Sequence, residues 1–450
     1  MADTVEGDMG ARGPREGLAR LAAWALMLLS FAVVLLGLHS VETGDSSNSR
    51  LATVYSLVHE GSWYIDRPLD QAPNPFEQGT IDKIELNGRL LSTKPPLLPL
   101  AMTAEYVGLR KIFGWDLEVR DELRQIMRTM ILTLVMVPHA IGIIFFFMLL
   151  RLLIENPWQR LLPLFALAFA TQLPGFATEL NNHSPAIGAL LAALYFAIGV
   201  TSGKLAPAPW RFAAYGLAGA LVFTLDMPLT IFVAAAGCGL LWKHPKPAVL
   251  WGGLGLIGPL VIHFGANYQV TGSLLPVQSH RELYLFESSA WRHPGQIDAL
   301  NEPKGTYFFH MTFGRFGIFL LYPILLMGFA GIYFAWRDGM REWRNYYLAG
   351  LACFAALGYY YVSGTNNYGG AAYGFRWGMG AMPILILMGI PAFNRVRGAW
   401  AWSVVAVLMA VSMYSAWECY WAPWGACHEW TCRWIFGAPY IDLSAGVAAK

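Results

Sequence analysis

Charge is scarce in this chain. Only 13% of its 450 residues are Asp, Glu, Lys or Arg, and the formal net charge is +2, whereas ordinary soluble domains carry about 25% charged residues. With 56% hydrophobic residues there is too little polar side chain to cover a soluble globule, and the balance of signs leaves no basic footprint for nucleic acid. Cysteine is nearly absent, with five residues. Cys238 and Cys353 fall inside apolar runs and read as small hydrophobes, while Cys419, Cys427 and Cys432 sit near the C-terminus, where two can pair and one is left over. The cluster Cys427, His428, Cys432 lacks the second ligand pair of a zinc site. A Gly-rich phosphate loop is missing as well, so nucleotide chemistry has no visible seat. There is no internal repeat and no low-complexity tract.

What the chain does have is apolar runs of about 15–25 residues, the length a helix needs to cross a hydrocarbon layer about 30 Å thick. The pattern predicts an all-α polytopic membrane protein with eleven crossings, at 20–40, 129–151, 161–179, 184–201, 211–225, 227–242, 247–266, 316–336, 346–363, 377–393 and 399–417. Five short breaks carry Arg151 and Arg160, Lys204 and Arg211, Lys243 and Lys246, Arg337, Arg341 and Arg344, and Arg395 and Arg397, all on one side. The opposite breaks, around Asn181, Asp226 and Asn366, hold only Arg376, so the positive-inside bias puts the N-terminus in the cytoplasm and the C-terminal tail outside. Two stretches admit a second reading. Residues 211–242 form either a hairpin around Asp226 or one broken helix, and basic residues at both ends favour the hairpin. Residues 95–113 are apolar but interrupted by Glu105, and read as interfacial or re-entrant.

The resulting organisation is a disordered cytoplasmic leader (1–19), a membrane domain (20–417) and an outward tail (418–450). The first crossing is longer than a signal-peptide core and reads as an uncleaved anchor. Two outward segments, 41–128 and 267–315, are too long to be mere connectors. In the first, Leu51, Val54, Tyr55 and Val58 recur at helical spacing between Ser47 and Gly61, predicting an amphipathic helix on the outer membrane surface with Asp45 and Arg50 at the water–lipid border.

Polar groups gather on the outward side. The first loop carries Asp45, Glu60, Asp66, Asp70, Glu77, Asp82 and Glu85. Most are solvated surface charges, but this is where a general base would meet a water-soluble acceptor, and Asp45 and Asp82 are the two candidates. Lys94 precedes Pro95-Pro96-Leu97 at the membrane boundary, where a Lys either snorkels as an anchor or holds an anionic head group. Asn181-Asn182-His183 fills an outward turn with hydrogen-bonding groups, and Asp226 at the next turn is either a second acidic wall or a helix cap. Asn366-Asn367-Tyr368-Gly369-Gly370 leads through Gly374 to Arg376, which enters the membrane at a helix N-terminus. That end is already partly positive, so an Arg there has no dipole reason to be present and an anion would explain it. Arg315 begins another inward-going helix in the same way, so Lys94, Arg315 and Arg376 are expected to form one anion site, against the simpler reading of interfacial anchors.

The stretch Ser49-Arg50-Leu51-Ala52-Thr53-Val54 through Gly61-Ser62-Trp63, and Asn87-Gly88-Arg89 leading into Lys94-Pro95-Pro96-Leu97, resemble the first outward loop of aminoarabinose-transferase-like members of the GT-C superfamily of polytopic glycosyltransferases. Asn181-Asn182-His183 and Asn366-Asn367-Tyr368-Gly369-Gly370 with Arg376-Trp377 are similar to elements of other bacterial members, so the likeness spreads over most of the chain. The resemblance implies a sugar donor on a polyprenyl phosphate, a glycan, lipid or protein acceptor, transfer at the outer face of the bacterial inner membrane, and an Asp base in the first loop. One departure matters. The acid of that family stands about three residues before the Arg matched by Arg50, whereas Ser47 occupies that position here and Asp45 lies two residues earlier. The base is therefore Asp45, or Asp82 or Asp66 in its place, or the chain is an inactive homologue.

In this scheme a carboxylate takes the acceptor's proton and cations hold the departing phosphate, which predicts inversion at the anomeric carbon. No cofactor is required, though outward carboxylates leave room for a divalent metal. The rival reading is a transporter or flippase of a lipid-linked sugar or another amphiphilic anion, which needs the same cations. A transporter should show repeated halves and midplane polar groups, while polar residues here gather at one face. An O-antigen ligase or polymerase would carry its large loop later in the chain.

Overall fold

The computed structural model describes residues 14–40, 44–70, 76, 79–289, 291, 302–365, 367–425 and 427–437. The expected leader up to residue 13, Asn366, Glu77 and the tail beyond residue 437 lie outside the described residues.

Among the described residues the regular structure is helical apart from one antiparallel hairpin, Lys83–Leu86 with Arg89–Ser92. Among the described residues five helices are long and apolar enough to cross a membrane by length and composition: Glu16–Leu36, Arg120–Leu153, His183–Thr201, Pro245–Thr271 and Gly398–Trp421. Met227–Lys243 and Pro323–Arg337 are shorter apolar helices. The first helix begins at Pro14, inside the span read from sequence as leader, because a Pro at the first turn with Glu16 behind it is a good helix start.

Several predicted crossings are not single helices. The run 161–179 is helical only over Leu161–Phe169 and Leu173–Phe176. Between them Thr171 Oγ1 turns back to Leu167 O (2.9 Å) and Gln172 Nε2 reaches Phe375 O (3.1 Å), and Pro174 follows. The run 316–336 breaks at Tyr322-Pro323, and 377–393 breaks at Gly389 before Pro391. Around Asp226 the two readings separate cleanly. Tyr215 Oη donates to Val233 O (2.7 Å), which brings together residues that one straight helix would hold about 27 Å apart. Pro209–Leu225 and Thr230–Lys243 are therefore the arms of a hairpin.

The two ends of the helical assembly differ in chemistry. At one end the basic breaks touch one another: Lys204 Nζ caps Leu152 O, Lys243 Nζ donates to Thr201 O (2.6 Å), Gln159 Nε2 to Asn394 O (3.3 Å), and Arg395 pairs with Asp338. The two lysines satisfy carbonyls at helix C-termini, which also suits the helix dipole. At the other end lie Arg50, Asn182, His183, Asp226 and Arg376.

The predicted amphipathic helix exists, as Asp45–Tyr55 continued by a wide turn over Ser56–Glu60, but it does not lie on a surface. Every residue from Ser47 to Tyr55 is buried, with Arg50 1% exposed. Its polar face is satisfied inside the protein: Ser49 Oγ donates to Asp82 O (2.7 Å) and Asn48 Nδ2 to Gly79 O (2.8 Å). Its apolar face packs on Leu97–Phe113, the segment read as interfacial, which forms a 17-residue helix.

Close helix approach depends on glycine. A Cβ at Gly216 would overlap Gly252 O, and one at Gly255 would overlap Ala213 O, so Pro209–Leu225 and Gly253–Thr271 meet backbone to backbone. Gly216→Val should therefore destabilise the detergent-solubilised protein by about 1–3 kcal/mol, seen as a lower unfolding temperature. Gly258→Ala, where a Cβ meets nothing within 4 Å, is the control and should leave it unchanged; equal effects would contradict the packing account.

Candidate functional site

The hairpin builds the first half of the site. Asn87 (φ 56°) and Gly88 (φ 74°) make the tight turn whose twist suits two antiparallel strands. The register pairs Lys83 with Ser92, so the residues flanking the strands, Asp82 and Lys94, emerge side by side. Lys94 Nζ and Asp82 Oδ2 are 2.6 Å apart, with 16% and 18% of their side chains exposed. Ser49 Oγ bonds Ser92 Oγ (2.6 Å) as well as Asp82 O, pinning the hairpin to the helix Asp45–Tyr55. At the start of that helix Asp45 Oδ1 accepts from Ile81 N (2.9 Å), which sets the second candidate carboxylate close to the first.

Arg50 links this loop to the helical ends. Its Nη1 donates to Ser46 O (2.8 Å) and Ser46 Oγ (2.6 Å), and Nη2 donates to Asn182 Oδ1 (2.5 Å), while Nε has no partner. Asn182 in turn donates Nδ2 to Leu225 O (2.6 Å), so one side chain joins three segments. Next to it His183 Nδ1 and Asp226 Oδ2 are 2.6 Å apart, both side chains 9% exposed. Asp226 thus does what neither sequence reading described: it fixes the imidazole, with Nδ1–H donating and Nε2 directed elsewhere.

Arg376 completes the group. The loop before it is folded by Asn367 Oδ1, which accepts from Gly369 N (2.7 Å) and Gly370 N (3.1 Å), and by Arg376 N donating to Tyr368 O (3.2 Å). Gly369, at φ 103°, leaves no room for a Cβ beside Arg376. The guanidinium carbon stands 4.9 Å from the centre of the Trp424 ring. Its charge acts on Asp82, Lys94 and Arg50, so Lys94 and Arg376 belong to one electrostatic group.

The electrostatics separate the two carboxylates. Burial raises the Asp82 carboxyl, but the Lys94 ammonium and its hydrogen bond, with Arg50 and Arg376, hold it below its ordinary value. For Asp45, loss of hydration pushes the carboxyl up against the Ile81 hydrogen bond, with help from Asp82. Burial lowers Lys94 despite Asp82, and it pushes Arg50 down to about 10. Asp82 is thus held ionised chiefly by Lys94, with the charges of Arg50 and Arg376 helping, and Asp45 is the more basic carboxylate at the solvent edge.

Arg315 is not brought into this group. Its Nη1 lies 3.3 Å from Glu302 Oε1 and 3.0 Å from His310 Nε2, and Nε donates to Gly437 O (3.0 Å). Tyr368 Oη donates to the other oxygen of Glu302 (2.5 Å), so Arg315 and Tyr368 share a carboxylate, and the expected site of Lys94, Arg315 and Arg376 reduces to Lys94 and Arg376 with Arg50. Asp66 is occupied by the hairpin, accepting from Leu90 N (2.5 Å) and pairing with Arg89 (3.1 Å).

Two participants escaped the sequence reading. Trp424 underlies Arg376 and donates Nε1 to Glu179 (2.9 Å), and Glu429, fully buried, accepts from Gly374 N (2.5 Å). The only signal was a Glu within the aromatic-rich tail. A small cavity beside Lys94 is lined by Thr53, Trp63, Ser92, Pro96 and Asn267, and Arg376 does not line it. Among the described residues no group of three or more His, Cys, Asp or Glu is arranged to hold a metal ion. No family model matches the sequence, and no curated protein matches it.

Because Asp82 sits below the unfolded value of about 4, its ion pair stabilises the fold above that pH and the stabilisation is lost as pH falls through the folded value. The unfolding temperature should drop on acidification below about pH 4, with a smaller drop in the double variant Asp82→Asn, Lys94→Met. Lys94→Met or Asp82→Asn alone should cost more than the pair together, up to about 3–5 kcal/mol, since each strands a partner. An acid slope unchanged in the double variant would contradict this assignment.

Proposed function

We propose that this chain is an integral-membrane glycosyltransferase that moves a sugar from a polyprenyl-phosphate donor to a hydroxyl or amine acceptor at the extracytoplasmic face. The observation that carries the reading is the buried Arg50 guanidinium, which is 1% exposed and hydrogen-bonded only to the neutral Ser46 and Asn182, with the Lys94–Asp82 pair and the charge of Arg376 acting on it at the same end of the helices. A buried guanidinium whose direct partners are all neutral is costly, and a phosphate is an anion that such a cation accepts. The GT-C-like pattern of the first loop supplies the chemical class of donor.

The proposed topology is the eleven-crossing one, with the basic breaks in the cytoplasm and the cationic group outside. The membrane is the bacterial inner membrane. A lipid-borne phosphate enters from the outer leaflet, and a water-soluble acceptor reaches Asp45 at the exposed edge. The acceptor oxygen or nitrogen attacks the anomeric carbon, its proton passes to the Asp45 carboxylate, and the bond to the phosphate oxygen breaks. The electron pair leaves with the polyprenyl phosphate, whose growing charge Lys94, Arg50 and Arg376 stabilise. Asp45 suits the base better than Asp82, because a carboxylate raised above its ordinary value takes a proton more readily and Asp82 is spent on Lys94. One displacement inverts the anomeric centre. His183, held by Asp226, and Asn182, held by Arg50, line the same end as neutral donors to sugar or phosphate oxygens.

Transfer from a radiolabelled polyprenyl-phosphate sugar by purified protein tests this. Asp45→Asn should lower the rate by about 10²–10⁴-fold, the span of a positioned base. Lys94→Ala and Arg376→Ala should also lose transfer, and Arg315→Ala should lose far less. Unchanged rates in Asp45→Asn, Lys94→Ala and Arg376→Ala would remove the site. Movement of the donor between leaflets of reconstituted vesicles, with no glycosidic bond formed, would make the protein a transporter instead.

A further inference from the structure

At the basic end of the assembly the helices do not close. Thr230–Lys243 and Arg341–Gly364 meet where the Phe232 and Phe354 rings stand edge to face at 5.3 Å and Cys353 Sγ donates to Ile231 O (3.6 Å). From there toward Lys243 and Arg341 they part, and a cavity of about 300 Å³ opens between them, His183–Thr201 and Ala381–Met388. Its walls are small: Ala235, Ala236 and Gly239 on one helix, Ala349 and Gly350 on the facing one. Small residues normally let two membrane helices close on one another. Here the gap stays, although wall atoms without a neighbour forfeit dispersion contacts. Water is a poor filling, because among the described residues no charged side chain lines the space and the Tyr347 hydroxyl is spent on Met388 O (2.7 Å). Tyr346 and Ala349 are exposed, so the cavity reaches the outer surface of the helices. Two cations stand at its rim. Lys243 spends one of its three donors on the O of the lining residue Thr201 (2.6 Å). Arg344, between the lining residues Trp343 and Asn345, stands 5.4 Å from the centre of the Trp336 ring, and its Nε is buried without a partner. Among the described residues neither cation has a carboxylate partner, and Asp338 at the same end is taken by Arg337 and Arg395.

We propose that this cavity is a binding site for an anionic phospholipid, with one acyl chain seated between the parted helices and the phosphate held by Lys243 and Arg344. The bilayer supplies the chain, and entry gives the unfilled walls the contacts they lack. The charge at the rim selects the head group. A basic pocket between membrane helices on the cytoplasmic side fits an anionic lipid head, through charge-assisted hydrogen bonds to phosphate oxygens. Charge and position together favour a phospholipid over the polyprenyl-phosphate donor. The cations assigned to that donor, Arg50, Lys94 and Arg376, lie at the opposite end of the helices, whereas Lys243 and Arg344 belong to the basic breaks and face the other leaflet.

The consequence follows from which helices the chain would join. His183 heads the helix His183–Thr201, whose last turn lines the cavity, and Arg376 opens the segment that continues into Ala381–Met388, whose far end lines it too. A lipid bound there ties together helices that carry site residues at their other ends, and binding to the folded state alone stabilises it by mass action. The site itself does not rest on the glycosyltransferase reading.

The test uses the full-length purified protein in phosphatidylcholine nanodiscs doped with phosphatidylglycerol that carries a photoreactive diazirine on one acyl chain. After irradiation, peptides within 232–239 and 343–353 should carry the lipid. Phosphatidylcholine with the same diazirine should label them at least about tenfold less, as expected where two cations face one phosphate. Gly239→Leu places a side chain in the space, its Cβ meeting only Thr201 Cγ2 at 3.5 Å, and should lose the label with no fall in unfolding temperature. The double variant Lys243→Gln, Arg344→Gln leaves the cavity open and should be labelled equally by the two lipids, and it carries the test should Gly239→Leu fail to fold. Label spread evenly over the exposed apolar helices, equal labelling by the two lipids in the unaltered protein, or displacement of the label by polyprenyl monophosphate overturns the proposal. Selective labelling in a protein that transfers no sugar upholds the lipid site and counts against the glycosyltransferase.

Discussion

Everything at the candidate site depends on the cost of holding positive charge away from water. Arg50 is 1% exposed and meets only neutral groups directly, with its Nε unpartnered. Lys94 is balanced by Asp82, and Arg376 adds its charge to both. The fold tolerates this because the donors are largely satisfied, by Ser46, Asn182 and the face of Trp424, and because one carboxylate is held ionised among them. The buried Arg50 guanidinium suits a bound anion. Interiors seldom keep such an imbalance for stability alone, since replacing a buried ion pair by apolar residues is often neutral or better.

The rest of the structure keeps that imbalance at one place. Basic breaks at the far end are spent on helix C-terminal carbonyls, and glycines such as Gly216 and Gly255 let helices close backbone to backbone. At the near end, tight turns do the positioning. The Asn87-Gly88 turn sets the hairpin register that joins Asp82 to Lys94, and Gly369 lets the chain fold over Arg376.

How much of this was legible in the sequence follows the range of the forces involved. Helical character, the break at Asp226, and the candidacy of Asp45, Arg50, Asp82, Lys94, Asn182, His183 and Arg376 came from local pattern and from charges sitting where burial or a helix dipole disfavours them. What failed depended on distant partners. Arg315 and Arg376 carry the same local signal, a cation at a helix start, and only Glu302 and His310 separate them. The polar face of Asp45–Tyr55 looked solvent-facing because the hairpin that buries it lies some thirty residues onward. The apolar runs 161–179 and 377–393 read as single helices because hydropathy does not register the Gln172–Phe375 hydrogen bond or the break at Gly389.

The central claim is that Arg50, Lys94 and Arg376 form a phosphate site. Its most direct measurement is the affinity of the protein in lipid nanodiscs for a polyprenyl monophosphate, compared with the uncharged polyprenol of the same length. The account predicts that the phosphate binds at least about tenfold more tightly, roughly the 1.4 kcal/mol of one modest charge-assisted contact, and that Lys94→Met or Arg376→Met erases the difference. Equal affinities for the two lipids in the unaltered protein would contradict it.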